Sequence, residues 1–131
     1  MTHPSIRRER RANRRTLRTE LRRRSAHNRL ASSCHRRPRS LATVAIAAGV
    51  TKDSATGCAN GLRTVAKRLG VTPAATARTR RTVAGGRAHR THTVGRYTLG
   101  QVARLVGSYK PRKPEYIAAV TLIAAFAGTA R

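Results

Sequence analysis

The residues able to do chemistry in this chain are overwhelmingly arginines. Its 131 residues include 29 Lys and Arg against four acids, a formal net charge of +25 at pH 7. Lysine contributes only Lys52, Lys67, Lys110 and Lys113. A guanidinium is a planar fork that holds a phosphate with two hydrogen bonds, whereas an ammonium acts as a point charge. So large an excess repels itself and calls for a polyanion. DNA and RNA fit, because each phosphate engaged releases a condensed cation. The acids are scattered at Glu9, Glu20, Asp53 and Glu115. Neither paired-carboxylate catalysis nor two-metal phosphoryl chemistry therefore has its ligands. Cys34-His35 and His89-x-x-His92 are the groupings suggestive of a metal, but no C-x-x-C accompanies them. No phosphate-binding glycine loop with its lysine occurs. The reading is a non-enzyme with no catalytic residues, no cofactor, no metal and no small-molecule substrate.

Other polyanions fit less well. Membrane adsorption wants an amphipathic helix with large apolar residues, and stacking on single strands wants aromatic platforms. The chain has no Trp, one Phe and three Tyr. Cys34 and Cys58 stand in unlike surroundings and form no disulfide framework, which points to a reducing cytoplasm; nucleoid association there is what the expected binding to DNA implies. Cys58 reads as a small buried apolar residue. Arg36-Arg37 ahead of the apolar run Ala42 to Val50 resembles a twin-arginine export signal. It lacks the aromatic or leucine expected two positions after the pair, and Thr43 interrupts the run, so export is not expected. The apolar stretch Ile117 to Gly128 is too short to span a bilayer.

The elements that would position the arginines fall into two blocks. Residues 1–40 hold 14 Arg and only Ile6, Leu17, Leu21 and Leu30 as large apolar residues. That is too little for a core, and repulsion along Arg22-Arg23-Arg24 opposes a helix, although Leu17 and Leu21 share a helical face and Glu20 stands four residues before Arg24. A disordered basic arm that orders on nucleic acid is expected. From Leu41 a skeleton L-x-x-V-A-x-x-(apolar)-G repeats. Leu41 to Thr51 matches Leu62 to Thr72, and Leu99 to Ser108 is a looser third copy. The apolar positions i, i+3, i+4 and i+7 make one helical stripe. The glycine suits a left-handed C-cap, and Thr51 or Thr72 then suits a following N-cap.

Helix, glycine turn and capped second helix together resemble helix-turn-helix DNA-binding proteins, with Ala45…Gly49 and Ala66…Gly70 carrying the likeness. Ala48 to Ala55 looks like the turn and recognition-helix start of bacterial winged-helix regulators. Gly85-Gly86-Arg87 with Val94 to Leu99 resembles their wing. The resemblance covers about residues 40–100 and implies a mostly α fold: a helix-turn-helix with a β-wing in residues 41–131, behind the arm. The first copy is favoured as the turn motif, with Leu62 to Leu69 continuing or following its second helix. The alternative is that the skeleton marks ordinary helix ends in an all-α bundle. Gly57 and Gly61 depart from the pattern, each costing about 1 kcal/mol relative to Ala inside a helix.

In this reading Thr51, Lys52, Ser54 and Thr56 start the reading helix, and Arg63 lies farther along it. Arg78, Arg80 and Arg81 lead into the wing, where the Arg-Thr-Arg alternation suits a strand with one phosphate-facing side. Arg87, Arg90 and Arg96 reach backbone or minor groove, and His89 and His92 fall in the wing loop, where mild acid would add charge. Tyr97 to Val106 reads as a short strand running into a helix. A basic turn comes next, and Pro114 and Glu115 open a last helix. Tyr116, Val120, Ile123 and Ala127 form one face of that helix, widened by Ile117, Leu122 and Phe126, as core or as a homodimer seam. The expected function is a DNA-binding transcriptional regulator or plasmid or phage accessory factor. The rivals are an RNA-binding or ribosome-associated protein, a non-specific DNA-compacting protein, and an unselected GC-rich reading frame, which would also yield Arg, Ala, Thr and Gly in abundance.

Overall fold

A computed structural model describes residues 3–82, Gly86 and residues 89–128, apart from the side chains of residues 81, 82, 89 and 90. The fold is mostly helical, with one two-stranded antiparallel sheet. Helix α1 spans Pro4–Arg36, α2 Leu41–Ala47 and α3 Lys52–Leu69. Strands β1 (Ala75–Thr82) and β2 (His89–Arg96) come next, then α4 (Leu99–Ser108) and α5 (Pro114–Gly128).

The largest difference from expectation is α1: residues 4–36 form one continuous helix instead of a disordered arm. Pro4 sits in its first turn, where a missing N–H is harmless, and Arg, Leu, Ala and Glu are good helix formers. The Thr16 and Thr19 hydroxyls donate back to the carbonyls of Ala12 and Arg15, the local bond these side chains make inside a helix. Its C-terminal turns are anchored: Cys34 and Ser33 are buried and Leu30 packs against the core. An anchored end removes the nucleation cost that makes isolated helices marginal. Extended Arg37 ahead of Pro38 stops the helix.

The skeleton repeats mark helix ends. In α2, Leu41, Val44 and Ala45 are buried, and the chain turns at Gly49, whose φ of +102° only glycine tolerates easily. Val50 N–H donates to the Ala45 carbonyl to close that turn. The second copy is the C-terminal half of α3, where Leu62, Val65 and Ala66 are buried and Gly70 is a left-handed C-cap. The next element after it is strand β1, so Thr72 caps no helix; its carbonyl accepts from Gln101 Nε2 instead. The third copy is α4, opened by a capping box in which Thr98 and Gln101 satisfy each other's backbone.

Helix α3 is the hub, packed by α2, α4 and α5. Small buried residues (Ala55, Cys58, Ala59) let its neighbours come close. Gly57 and Gly61 belong to the same logic. A Cβ at Gly57 would collide with the Tyr116 hydroxyl, and one at Gly61 with the Tyr109 hydroxyl. The two glycines are therefore a seat for two tyrosines, which offsets the lost helix propensity. In α5, Ile123 and Ala127 are buried and Tyr116 and Val120 half-buried, as the spacing predicts, while Ile117 and Leu122 stay exposed.

The hairpin pairs from Ala75↔Arg96 to Thr82↔His89. Its base is tied to the segment between α1 and α2: Arg39 and Tyr97 exchange both backbone hydrogen bonds, at 3.1 and 2.8 Å. Tyr97 is thus a single bridge, not the start of a strand. His89 and His92 lie in β2, not in the loop. Gly86 is left-handed at the tip, and Gly85 beside it lies outside the described residues.

This packing makes the glycine seat and the buried thiols measurable. Gly57→Ala alone should gain little, because Tyr116 must move; in a Tyr116→Ala background the same change should stabilise by about 1 kcal/mol. Urea unfolding of the four proteins measures that coupling, and additivity within about 0.3 kcal/mol would contradict the seat. Burial pushes both thiols up, in Cys34 against the opposing effects of the Arg39 charge and the Ser33 hydrogen bond. The folded state then holds protons that the unfolded chain releases above the ordinary thiol value of 9.0, so stability falls as pH rises past that value. Thermal melts from pH 8 to 10 should decline less steeply for Cys34→Ala/Cys58→Ala than for the wild type.

Candidate nucleic-acid interface

One face of α3 is committed to the core, which leaves the other to solvent. Lys52, Thr56, Asn60, Thr64 and Lys67 recur at three- and four-residue steps and are all exposed, so they form one polar stripe. The Thr56 hydroxyl donates to the Lys52 carbonyl and the Thr64 hydroxyl to the Asn60 carbonyl, which fixes both rotamers. Arg63 Nη1 donates to Asn60 Oδ1 at 2.7 Å, which orients the carboxamide. The stripe runs about 22 Å from Lys52 to Lys67 at the rise of an α-helix. Amide, hydroxyl and cationic groups in one row can bond to base edges and phosphates alike.

Beside this stripe, three arginines converge. Arg63 of α3, Arg96 at the end of β2 and Arg39 of the α1–α2 link line one cleft with Ser40, Thr43 and Thr79. Its walls are completed by Ala77 and Val94, and no carboxylate among the described residues lines it. Arg39 is positioned from behind: its Nε donates to Ser33 Oγ at 3.1 Å, and that hydroxyl donates to the Leu30 carbonyl. Ser40 caps α2, accepting from Thr43 N–H. On the hairpin the Thr79 hydroxyl meets His92 Nε2 at 3.3 Å. Guanidinium groups gathered without a counter-charge form a seat for a phosphate.

Compared with known proteins, the chain matches no family model, no curated protein and no solved structure.

Of the residues expected at the interface, Lys52, Thr56 and Arg63 share the outward side of α3, and Arg96 joins Arg63 in the cleft. Thr51 is exposed at the N-cap position, but its side chain makes no capping bond. Ser54 is half-buried, at the flank of the helix next to buried Ala55. Arg78 and Arg80 do alternate with Thr79, but they occupy the face of β1 opposite Ala77 and Thr79, turned away from the cleft. Arg81 and Arg90 pair through their backbones near the end of the ladder; their side chains, and Arg87 altogether, lie outside the described residues. Asn60, Thr64, Lys67 and Arg39 join the site without having been singled out in the sequence. Asn60 and Thr64 continue the four-residue spacing from Lys52 and Thr56, and Lys67 follows three residues later. Arg39 has no local signal, because the long-range bridge to Tyr97 helps to bring it here.

Among the described residues no group of three or more His, Cys, Asp or Glu could hold a metal, and no helix is long and apolar enough to cross a membrane.

If the cleft holds phosphate, inorganic phosphate should raise the melting temperature of the protein above that in chloride of equal ionic strength. Arg63→Gln/Arg96→Gln should remove most of that increment, whereas Arg78→Gln/Arg80→Gln, with the same charge change, should keep it. Equal losses in the two variants would make the effect one of net charge alone.

Proposed function

We propose that this protein binds duplex DNA, as a transcriptional regulator or a plasmid or phage accessory factor. In this reading α2 and α3 form a helix-turn-helix, α3 reads the major groove and the β1–β2 hairpin serves as a wing. The observation that carries the proposal is the division of α3. One face is packed by small residues into the core, and the opposite face is a polar stripe flanked by the Arg39–Arg63–Arg96 cleft. The order of elements supports it too: a helix, a bridging residue, two helices around a glycine turn, and a hairpin whose base returns to that bridge.

Division of labour follows from chemistry. The cleft arginines bond to phosphates and set register without carrying sequence information. Lys52, Thr56 and Asn60 face the base edges, where Asn pairs with adenine and Lys with guanine. Catalysis has no part in this reading.

Competition binding against selected and random duplexes above about 200 mM salt tests it, because phosphate contacts alone lose orders of magnitude in affinity there. Lys52→Ala/Asn60→Ala should relax the preference for the selected site by about 1–3 kcal/mol per lost base contact. A duplex RNA that competes as well as the selected DNA would overturn the proposal.

A further inference from the structure

The arginines of α1 are not spread evenly around it. Arg11, Arg18, Arg22, Arg29 and Arg36 succeed one another at steps of seven, four, seven and seven residues. At 3.6 residues per turn, seven residues is nearly two turns and four is slightly more than one, so all five fall on one line down the helix. Residues two apart lie on opposite sides. Glu9 stands two before Arg11, and Glu20 two after Arg18, so both acids of the segment lie on the far side from this line. A helix that merely needed solubility would mix the signs around its circumference. Here the acids are kept off the arginine line.

Among the described residues nothing covers this face. Every residue from 3 to 29 is exposed, and α1 packs on α2 only through its last turns. From Arg11 to Arg29 the line extends about 27 Å at the rise of an α-helix. The opposite face carries Glu9, Thr16, Glu20 and His27, and the exposed Ile6, Leu17 and Leu21 lie to one side of it interleaved with Arg10, Arg14 and Arg24, so no continuous apolar face is offered to a lipid boundary. A ladder of guanidinium groups on a straight rod is complementary to an equally regular ladder of anions. The B-DNA major groove, about 12 Å wide, admits a helix with its side chains, whereas the A-form RNA groove is too deep and narrow.

We propose that the arginine line of α1 is a second DNA-binding surface, docking on the phosphates that flank a major groove of the duplex held by α3. This deepens the DNA-binding reading and rests on it. The two glutamates then face solvent on the outer side, where they do not oppose docking.

The test uses the full-length protein and a duplex of about 30 base pairs. Arg18→Gln/Arg22→Gln removes two charges from the line. Arg23→Gln/Arg24→Gln removes two from neighbouring positions off it, and Gln keeps helix propensity; circular dichroism verifies that both variants remain helical. The on-line pair should lower the slope of log affinity against log salt by about 2, an affinity loss of about 60-fold at 0.1 M salt at ~0.9 per phosphate. The off-line pair should change the slope little. Equal effects of the two pairs, or none from either, would overturn the proposal. If neither pair matters while Lys52→Ala/Asn60→Ala still relaxes base preference, the α1 surface fails and the DNA reading stands. If the wild type binds no duplex DNA, both fail. Duplex RNA bound as tightly, with the same dependence on the arginine line, would overturn the choice of DNA.

Discussion

The exchange of two backbone hydrogen bonds between Arg39 and Tyr97 is the contact on which the arrangement of helices and hairpin depends. It joins the end of α1 and the start of α2 to the base of the hairpin. Packing of α2 on α3 already brings Arg39 near Arg63, and the bridge brings the hairpin, and with it Arg96, to the same place. The three then share a cleft whose other walls are the N-terminal end of α2 and the inner face of the hairpin. The close fit of Pro73 over Gly95, where any Cβ would meet the proline ring at 2.6 Å, holds the same junction from the other strand. Tyr97 is itself buried, so the junction belongs to the core and not to a loop.

Around that junction the molecule separates its two kinds of residue. Apolar surface is scarce and mostly small, and it is concentrated on α3 and the helices that pack on it. Ala, Val and Cys allow close approach, and glycines 57 and 61 admit two tyrosines that larger residues would exclude. Burial, with Cys58 and Tyr116 close by, pushes the Tyr109 phenol above its ordinary range. Charge is left on the outside: along α1, along the outer face of α3 and on the hairpin. A core of small residues gains modest hydrophobic stabilisation, and unbalanced positive charge opposes compaction. The folded state therefore gains from any polyanion that binds it in preference to the unfolded chain.

Local periodicity carried much of this fold. The L-x-x-V-A-x-x-x-G copies predict helix ends at Gly49 and Gly70, and both glycines adopt positive φ there. Pro114 and Glu115 open α5 where proline and macrodipole logic put its start, and Tyr116, Val120, Ile123 and Ala127 face the core as predicted, joined by buried Ala119, which the stripe did not include. Where sequence and structure part, the missing information is non-local. Residues 1–40 lack the apolar content for a core, yet α1 needs none of its own, because its last turns borrow the core of the rest. Gly57 and Gly61 read as flaws until the tyrosines that fill them are in place. The alternation of Arg78, Thr79 and Arg80 is legible as a strand, but which face meets the cleft depends on the register of the whole hairpin. Arg39, the cleft residue with least local signal, is set by a contact far along the chain, with Tyr97.

In the proposed DNA-binding role, regularly spaced guanidinium groups on this surface are matched by the phosphates of a duplex. The most direct measurement is the affinity of the intact protein for a fluorescent DNA duplex from 50 to 200 mM salt. Six or more phosphate contacts require tight binding at the low end and a fall of about a thousandfold or more across that range. An affinity that is negligible at 50 mM, or that stays flat as salt rises, would contradict the account.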